Sequence, residues 1–137
     1  MTTTYHHYHT GFVFLLLLFV PVLSGCGDNR APAKVTGTVT LDGSPVASAI
    51  VTFAPDNDGR LSYGFTDAQG RYKLRFTAQL NGTLVGTHQV RINTGDGIPP
   101  EQGGIPETIP AKYNKASELT ATVKSGNNTV NFDLTSD

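Results

Sequence analysis

From residue 35 onward the chain alternates apolar and polar side chains in short bursts. Val35, Gly37, Val39 and Leu41 fall on one face of an extended segment, and Thr36, Thr38 and Thr40 on the other. Period two with β-branched residues predicts a half-buried strand. Asp42-Gly43-Ser44-Pro45 then has turn chemistry, because Gly tolerates positive φ and Pro fixes its own. Residues 49–54 form a second predicted strand, in which Ile50, Val51 and Phe53 supply bulk, and Pro55 to Gly59 break it. A weaker strand spans 61–66 and a clearly alternating one 71–76, with Tyr72, Leu74 and Phe76 facing in. The two flank Asp67-Ala68-Gln69-Gly70 and so predict a hairpin. Segment 87–94 alternates again, with His88, Val90 and Ile92 on one face. Segments 119–123 and 130–134 follow, separated by the turn signal Gly126-Asn127-Asn128.

Seven short strands, turn signals between them and no helical period predict an all-β fold. The expected architecture is a seven-stranded antiparallel β-sandwich of immunoglobulin-like shape, with a small barrel as the alternative. Fifteen Gly and eight Pro in 137 residues suit a domain rich in tight turns. The stretch 95–117 holds four Pro and four Gly and no periodicity. A loop of that length in a small domain is a candidate contact surface.

The N-terminus is different. Phe12–Leu23 is uncharged and apolar, and its twelve residues fall short of the roughly 20 needed to cross a bilayer. They match the apolar region of a secretory signal. Directly after comes Leu23-Ser24-Gly25-Cys26, which resembles the lipobox of bacterial lipoproteins: an aliphatic residue, two small ones, then Cys. The resemblance implies cleavage between Gly25 and Cys26 and attachment of lipid to the Cys26 sulfur. Residues 1–25 are then a lipoprotein signal peptide, 26–34 a lipidated tether and 35–137 the folded domain. No Lys or Arg precedes the apolar run, so positive charge there comes only from the amino terminus, His6, His7 and His9. Gly27 follows Cys26, so the Asp-after-Cys retention signal known in some bacteria is absent. That favours the outer membrane within a cell-envelope location. The membrane, reached through the N-terminal lipid, is the expected partner.

Charge and candidate chemistry narrow the function classes. All ten Lys/Arg and all eleven Asp/Glu lie after Cys26 and are well mixed, which gives no basic footprint for nucleic acid. Cys26 is the only cysteine, which excludes an intramolecular disulfide. No Gly-x-Ser-x-Gly elbow, zinc spacing, phosphate loop or paired carboxylates are found, so a non-enzymatic role without cofactor or metal is expected, the covalent lipid apart. His88 has no second His or Cys after residue 26 and is expected in the core. Asp56-Asn57-Asp58-Gly59 resembles the start of a calcium loop, but Asp67 stands where an EF-hand needs Glu, and a plain turn is the default. Lys34 and Asn131 have the residue types of an isopeptide pair, but Asn131 is predicted on an exposed face. The outward row Arg71, Lys73 and Arg75, neighbouring Arg91, is either a solvated sheet face or a surface for anionic glycan or headgroups. Tyr63, Phe65 and Tyr113 are the plausible aromatic platform for a carbohydrate or peptide. An envelope protein or glycan is the further expected partner.

Three segments carry a family resemblance: Val35-Thr-Gly-Thr-Val-Thr-Leu-Asp-Gly-Ser-Pro-Val46, Ala49-Ile-Val-Thr-Phe53 and Thr66-Asp-Ala-Gln-Gly-Arg-Tyr72. They resemble the carboxypeptidase regulatory-like domain, which has a transthyretin-like (prealbumin-like) β-sandwich. Gly86 to Ile92 is similar to a further family segment, with Val85 in place of Pro and His88 in place of Tyr. Ile109-Pro-Ala-Lys-Tyr113 and Leu119-Thr-Ala-Thr-Val123 resemble small bacterial lipoproteins carrying this domain alone. The resemblance implies a fold, not an activity. Transthyretin-like hydrolases end in Tyr-Arg-Gly-Ser, whereas this chain ends Leu134-Thr-Ser-Asp137.

Overall fold

A computed structural model describes residues 1–3 and 32–137. The signal, Gly25 and Cys26 lie outside the described residues. Within them the chain forms nine strands and two single 3-10 turns. The strands are β1 (Lys34–Leu41), β2 (Ser44–Pro45), β3 (Ile50–Pro55), β4 (Ser62–Phe65), β5 (Arg71–Lys73), β6 (Gly86–Asn93), β7 (Thr120–Val123), β8 (Asn127–Thr129) and β9 (Phe132–Leu134). They build two packed sheets, an all-β sandwich.

One sheet runs β4-β3-β6-β7 and is antiparallel throughout. The other is centred on β1, which pairs antiparallel with β2 and β5 on one side and parallel with β8 and β9 on the other. The expected wholly antiparallel pattern is therefore corrected to a mixed sheet. The last segment runs alongside β1 in the same direction. The turn signal Gly126-Asn127-Asn128 contributes to this pairing, since Asn127 opposite Lys34 already belongs to β8.

Alternation placed most of the core. Val35, Val39, Val51, Phe53, Leu74, Val90, Ile92 and Val123 are buried between the sheets. At Gly37 a Cβ would lie 1.7 Å from the Val130 carbonyl oxygen and 2.9 Å from the Tyr72 ring. Tyr72 packs across this gap, and its hydroxyl donates to that same carbonyl at 2.8 Å.

Of the expected hairpin between residues 61–66 and 71–76 the turn and the Tyr63–Arg75 rung form, and between them the chain makes a corner from one sheet to the other. β4 pairs with β3, and β5 pairs with β1 in the other sheet. The turn itself forms as expected. Asp67 Oδ1 accepts from the Gln69 and Arg71 N–H groups at 2.9 Å each, and Gly70 sits at φ 73°. Beyond Lys73 the chain leaves β1, and Arg75 bridges to Tyr63 on β4. The two sheets are stitched together there, and Phe76, expected inside, is only half-buried. On β4 the inward residues are the small Ser62 and Gly64, because the Lys73 backbone passes 2.6 Å from where a Gly64 Cβ would sit.

Candidate functional site: a pinned loop groove and an aromatic edge

β1 defines two ends of the sandwich. At its start lie Ala33, hydrogen-bonded both ways to Thr83, and Gly126. At its finish lie Leu134, the Asp42 turn and, through Tyr113 and Thr135, the loop 95–117. Eight residues at about 3.3 Å each put these ends roughly 25 Å apart.

The loop 95–117 is ordered by its own polar groups. Glu107 Oε1 accepts from the Thr94 N–H at 3.0 Å, the Thr94 hydroxyl at 2.9 Å and the Ile109 N–H at 2.8 Å. Its Oε2 accepts from the Gly95 N–H at 3.3 Å. Burial alone would raise the Glu107 pKa, but these bonds outweigh it and hold the carboxyl below its ordinary value. The segment carries 3-10 turns at Pro100–Gln102 and Ala111–Tyr113. It closes on the core through Ile109, Asn114 and Ser117, all buried. Asn114 donates to the Ile109 carbonyl and the Ser117 hydroxyl to the Val90 carbonyl.

This scaffold leaves a half-open cavity of about 580 Å³, a size that suits a small ligand or a short peptide segment. Ile98 and Ile105 line it and remain 49% and 59% exposed. Arg91 and Lys115 reach it from β6 and from the loop, and neither head group makes a hydrogen bond or ion pair among the described residues. Asp96 also lines it, with Oδ1 taken by the Ile98 N–H. Ile98, Ile105 and Lys115 were not singled out from sequence as site residues. Large aliphatics inside a Gly/Pro-rich loop were the available signal.

The other sequence candidates separate. Arg71, Lys73 and Arg75 are exposed, as predicted, and with Phe65 border a shallow groove of about 600 Å³ between β4 and β5. Arg71 is engaged with Asp67 at 2.9 Å, and this bonding, with the Arg71 N–H foremost, lowers the Asp67 pKa. Tyr63 joins this group through its bridge to Arg75 and meets Phe65 edge to face, with centroids 5.8 Å apart. Arg91 does not neighbour the row. Tyr63 and Thr52 stand between it and Arg75, and it serves the loop groove instead. Tyr113 is no surface platform. It is half-buried against the core and its hydroxyl bonds Thr135, which, ahead of the Thr135 N–H, lowers its pKa.

His88 is fully buried beside Phe53, with ring centroids 5.6 Å apart, and Nε2 donates to the Leu84 carbonyl at 2.8 Å. Residues 56–58 form a bend. No group of three or more His, Cys, Asp or Glu able to hold a metal occurs among the described residues. Lys34 faces Asn127, and Asn131 Oδ1 accepts from the Thr38 N–H, so the isopeptide pair is not assembled.

The chain is thus a small mixed-sheet β-sandwich with a structured groove at one end. No family model matches it, and no curated protein matches it. Among solved structures it is similar to a DUF3823 family protein from Parabacteroides merdae, at 18% identity and a TM-score of 0.44. The alignment covers 75% of this chain and 46% of that one, so the chain spans less than half the length of that protein.

Proposed function

We propose that the chain is a non-enzymatic, lipid-anchored module of the cell envelope that binds its ligand in the groove of loop 95–117. The observation that carries this is the groove's position. It lies at the end of the sandwich opposite Ala33, where the chain arrives from Cys26. A lipid on Cys26 would hold that near end at a membrane and display the groove away from it. Glu107 and the buried Ile109 make the groove largely preformed, which lowers the ordering cost of binding. The Leu23-Ser24-Gly25-Cys26 lipobox supports the anchor, with the outer membrane favoured. The carboxypeptidase regulatory-like resemblance is in keeping with the sandwich. The test of the anchor is fractionation with labelled palmitate. Wild type is expected in the membrane fraction carrying label, and Cys26→Ala free of both. Identical behaviour of the two would defeat the proposal.

A second reading, a carbohydrate-binding module, draws on Tyr63 and Phe65. They are 45% and 61% exposed and lie beside Lys73 and Arg75, an arrangement suited to an acidic sugar. A glycan array probed with the full chain should then show binding that Tyr63→Ala abolishes. An empty array removes this reading.

A further inference from the structure

We propose that the end of the sandwich where the chain comes in from Cys26 is itself a docking face for an anionic lipid bilayer. Leu61, Leu80 and Val85 enter the interface, and Lys34, Arg60 and Lys124 lie against the headgroups. The orientation of this face rests on the anchor reading above.

Two connections bring the aliphatics to that end, β3–β4 with Leu61 and β5–β6 with both Leu80 and Val85. Leu61 immediately precedes the first residue of β4, Ser62, which pairs with Phe53 near the finish of β3. Leu80 tips the turn after β5, where the Phe76 and Thr77 N–H groups donate to its carbonyl. The returning strand then bonds Leu74 through Gly82 and Ala33 through Thr83. Val85 directly precedes β6, whose first residue Gly86 pairs with Val123. The loops are held against each other. A Cβ on Gly59 would lie 2.8 Å from Pro55 Cγ and 3.0 Å from Leu84 Cδ1, so the segment carrying Arg60 and Leu61 packs on the one carrying Val85.

These aliphatics are not core residues that happen to show. Leu61, Leu80 and Val85 are 55%, 50% and 40% exposed, while Leu74 and Val123 beneath them are buried. Exposed large apolar side chains clustered on loop tips mark an interaction surface. Charge selects the partner. Lys34, Arg60, Arg75 and Lys124 are exposed at this end, against the carboxylates of Asp56 and Asp58. Among the described residues, four cations against two anions leave the end positive in a chain whose net charge is −1. Basic side chains around apolar ones are the pattern that binds an anionic bilayer surface.

Chain length points to the same occupant. Between Cys26 and Ala33 lie only residues 27–32, a reach of at most about 25 Å when fully extended. A lipid at Cys26 therefore holds this end near the headgroups, whereas the groove end, roughly 25 Å further along the sandwich, could reach them only with the tether fully stretched.

The test uses the full chain purified from envelopes and reconstituted into phosphatidylcholine vesicles containing phosphatidylglycerol. Nitroxides are placed through Leu80→Cys, Val85→Cys and, as a far-end reference, Ile105→Cys. Collision with a water-soluble nickel complex should be about fivefold weaker at 80 and 85 than at 105. Equal access at all three positions overturns the proposal. So does shielding at 80 and 85 without vesicles, which would mean that a second copy covers the face. Nitroxide uptake by the wild-type chain would show a free Cys26 thiol and remove the anchor reading alone. The depth at 80 and 85 decides the docking face independently.

Discussion

Ser62 Oγ, Thr83 Oγ1 and His88 Nδ1 are buried without a hydrogen-bond partner among the described residues. A buried hydroxyl that leaves water for nothing weakens the fold. Thr83 is the cleanest case, because its backbone is satisfied on both sides by Ala33 while its side chain is fully buried. Thr83→Val keeps the shape and removes the orphan, so it should stabilise by about 1 kcal/mol in urea unfolding. A destabilised variant would mean that the hydroxyl has a partner, such as an internal water. Tyr72 is the opposite case. Its hydroxyl is spent on the Val130 carbonyl, and burial raises its pKa, so it stays a donor through the physiological range. Tyr72→Phe leaves that carbonyl without its donor and should cost about 1–2 kcal/mol in the same assay.

At the scale of elements, Gly37 and Glu107 decide most. Any Cβ at Gly37 overlaps the Val130 carbonyl, a backbone atom fixed by the parallel run of β8 and β9 along β1. Gly37→Ala should therefore cost about 3 kcal/mol or more, and Tyr72→Phe should add little on top, since both act on one contact. A thermal-unfolding double-mutant cycle reads this directly. Glu107 secures the loop with four accepted hydrogen bonds. Because its folded pKa is depressed, the stabilisation is present above the ordinary carboxylate value of 4.5 and is lost as pH falls through the lower folded value. Amide exchange at Gly95 and Ile109, taken relative to the intrinsic rate at each pH, should quicken over that acidic range in wild type. In Glu107→Gln, which keeps a single acceptor oxygen, it should be quick already at neutral pH. The strand faces were legible because Val35, Val39, Val51, Val90 and Ile92 follow a strict period of two. The Asp67–Gly70 turn was legible because its capping is local. The parallel pairing of β8 and β9 was not, since nothing within Asn127–Leu134 encodes which neighbour it will meet. The β4–β5 corner was hidden for the same reason: the pairing of β5 with β1 displaces the local hairpin and leaves only its Tyr63–Arg75 rung, a competition settled in three dimensions. Glu107 carried no sequence signal, as its partners at positions 94, 95 and 109 converge only once β6 has paired.

At the scale of the whole domain, the exposed Leu, Ile and Val side chains among residues 32–137 are divided between two ends with different company. At the near end the aliphatics stand on convex loop tips among cations, a shape that suits a flat, extended partner. At the far end Ile98 and Ile105 line a concavity with Arg91 and Lys115, which suits a ligand with an apolar body and an anionic group. Asp96 and Glu107 share that concavity. However, Glu107 turns both oxygens to the loop's own N–H and hydroxyl donors, and Asp96 Oδ1 is taken by Ile98, whereas the two cations have no partner within the described chain. Decanoate against decanol separates charge from greasiness, because the two share a chain and differ in the head. Calorimetric titration of the full chain should show saturable decanoate binding at least about tenfold tighter than decanol, a gap of about 1.4 kcal/mol. Arg91→Gln should narrow that gap by weakening decanoate alone, because an exposed guanidinium on β6 contributes to the head group and not to the fold. Ile105→Ser should weaken both ligands alike. Equal affinity for the two ligands in wild type would assign the groove no preference for anions, and no binding of either would leave loop 95–117 a structural cap on the Ile109 end of the core.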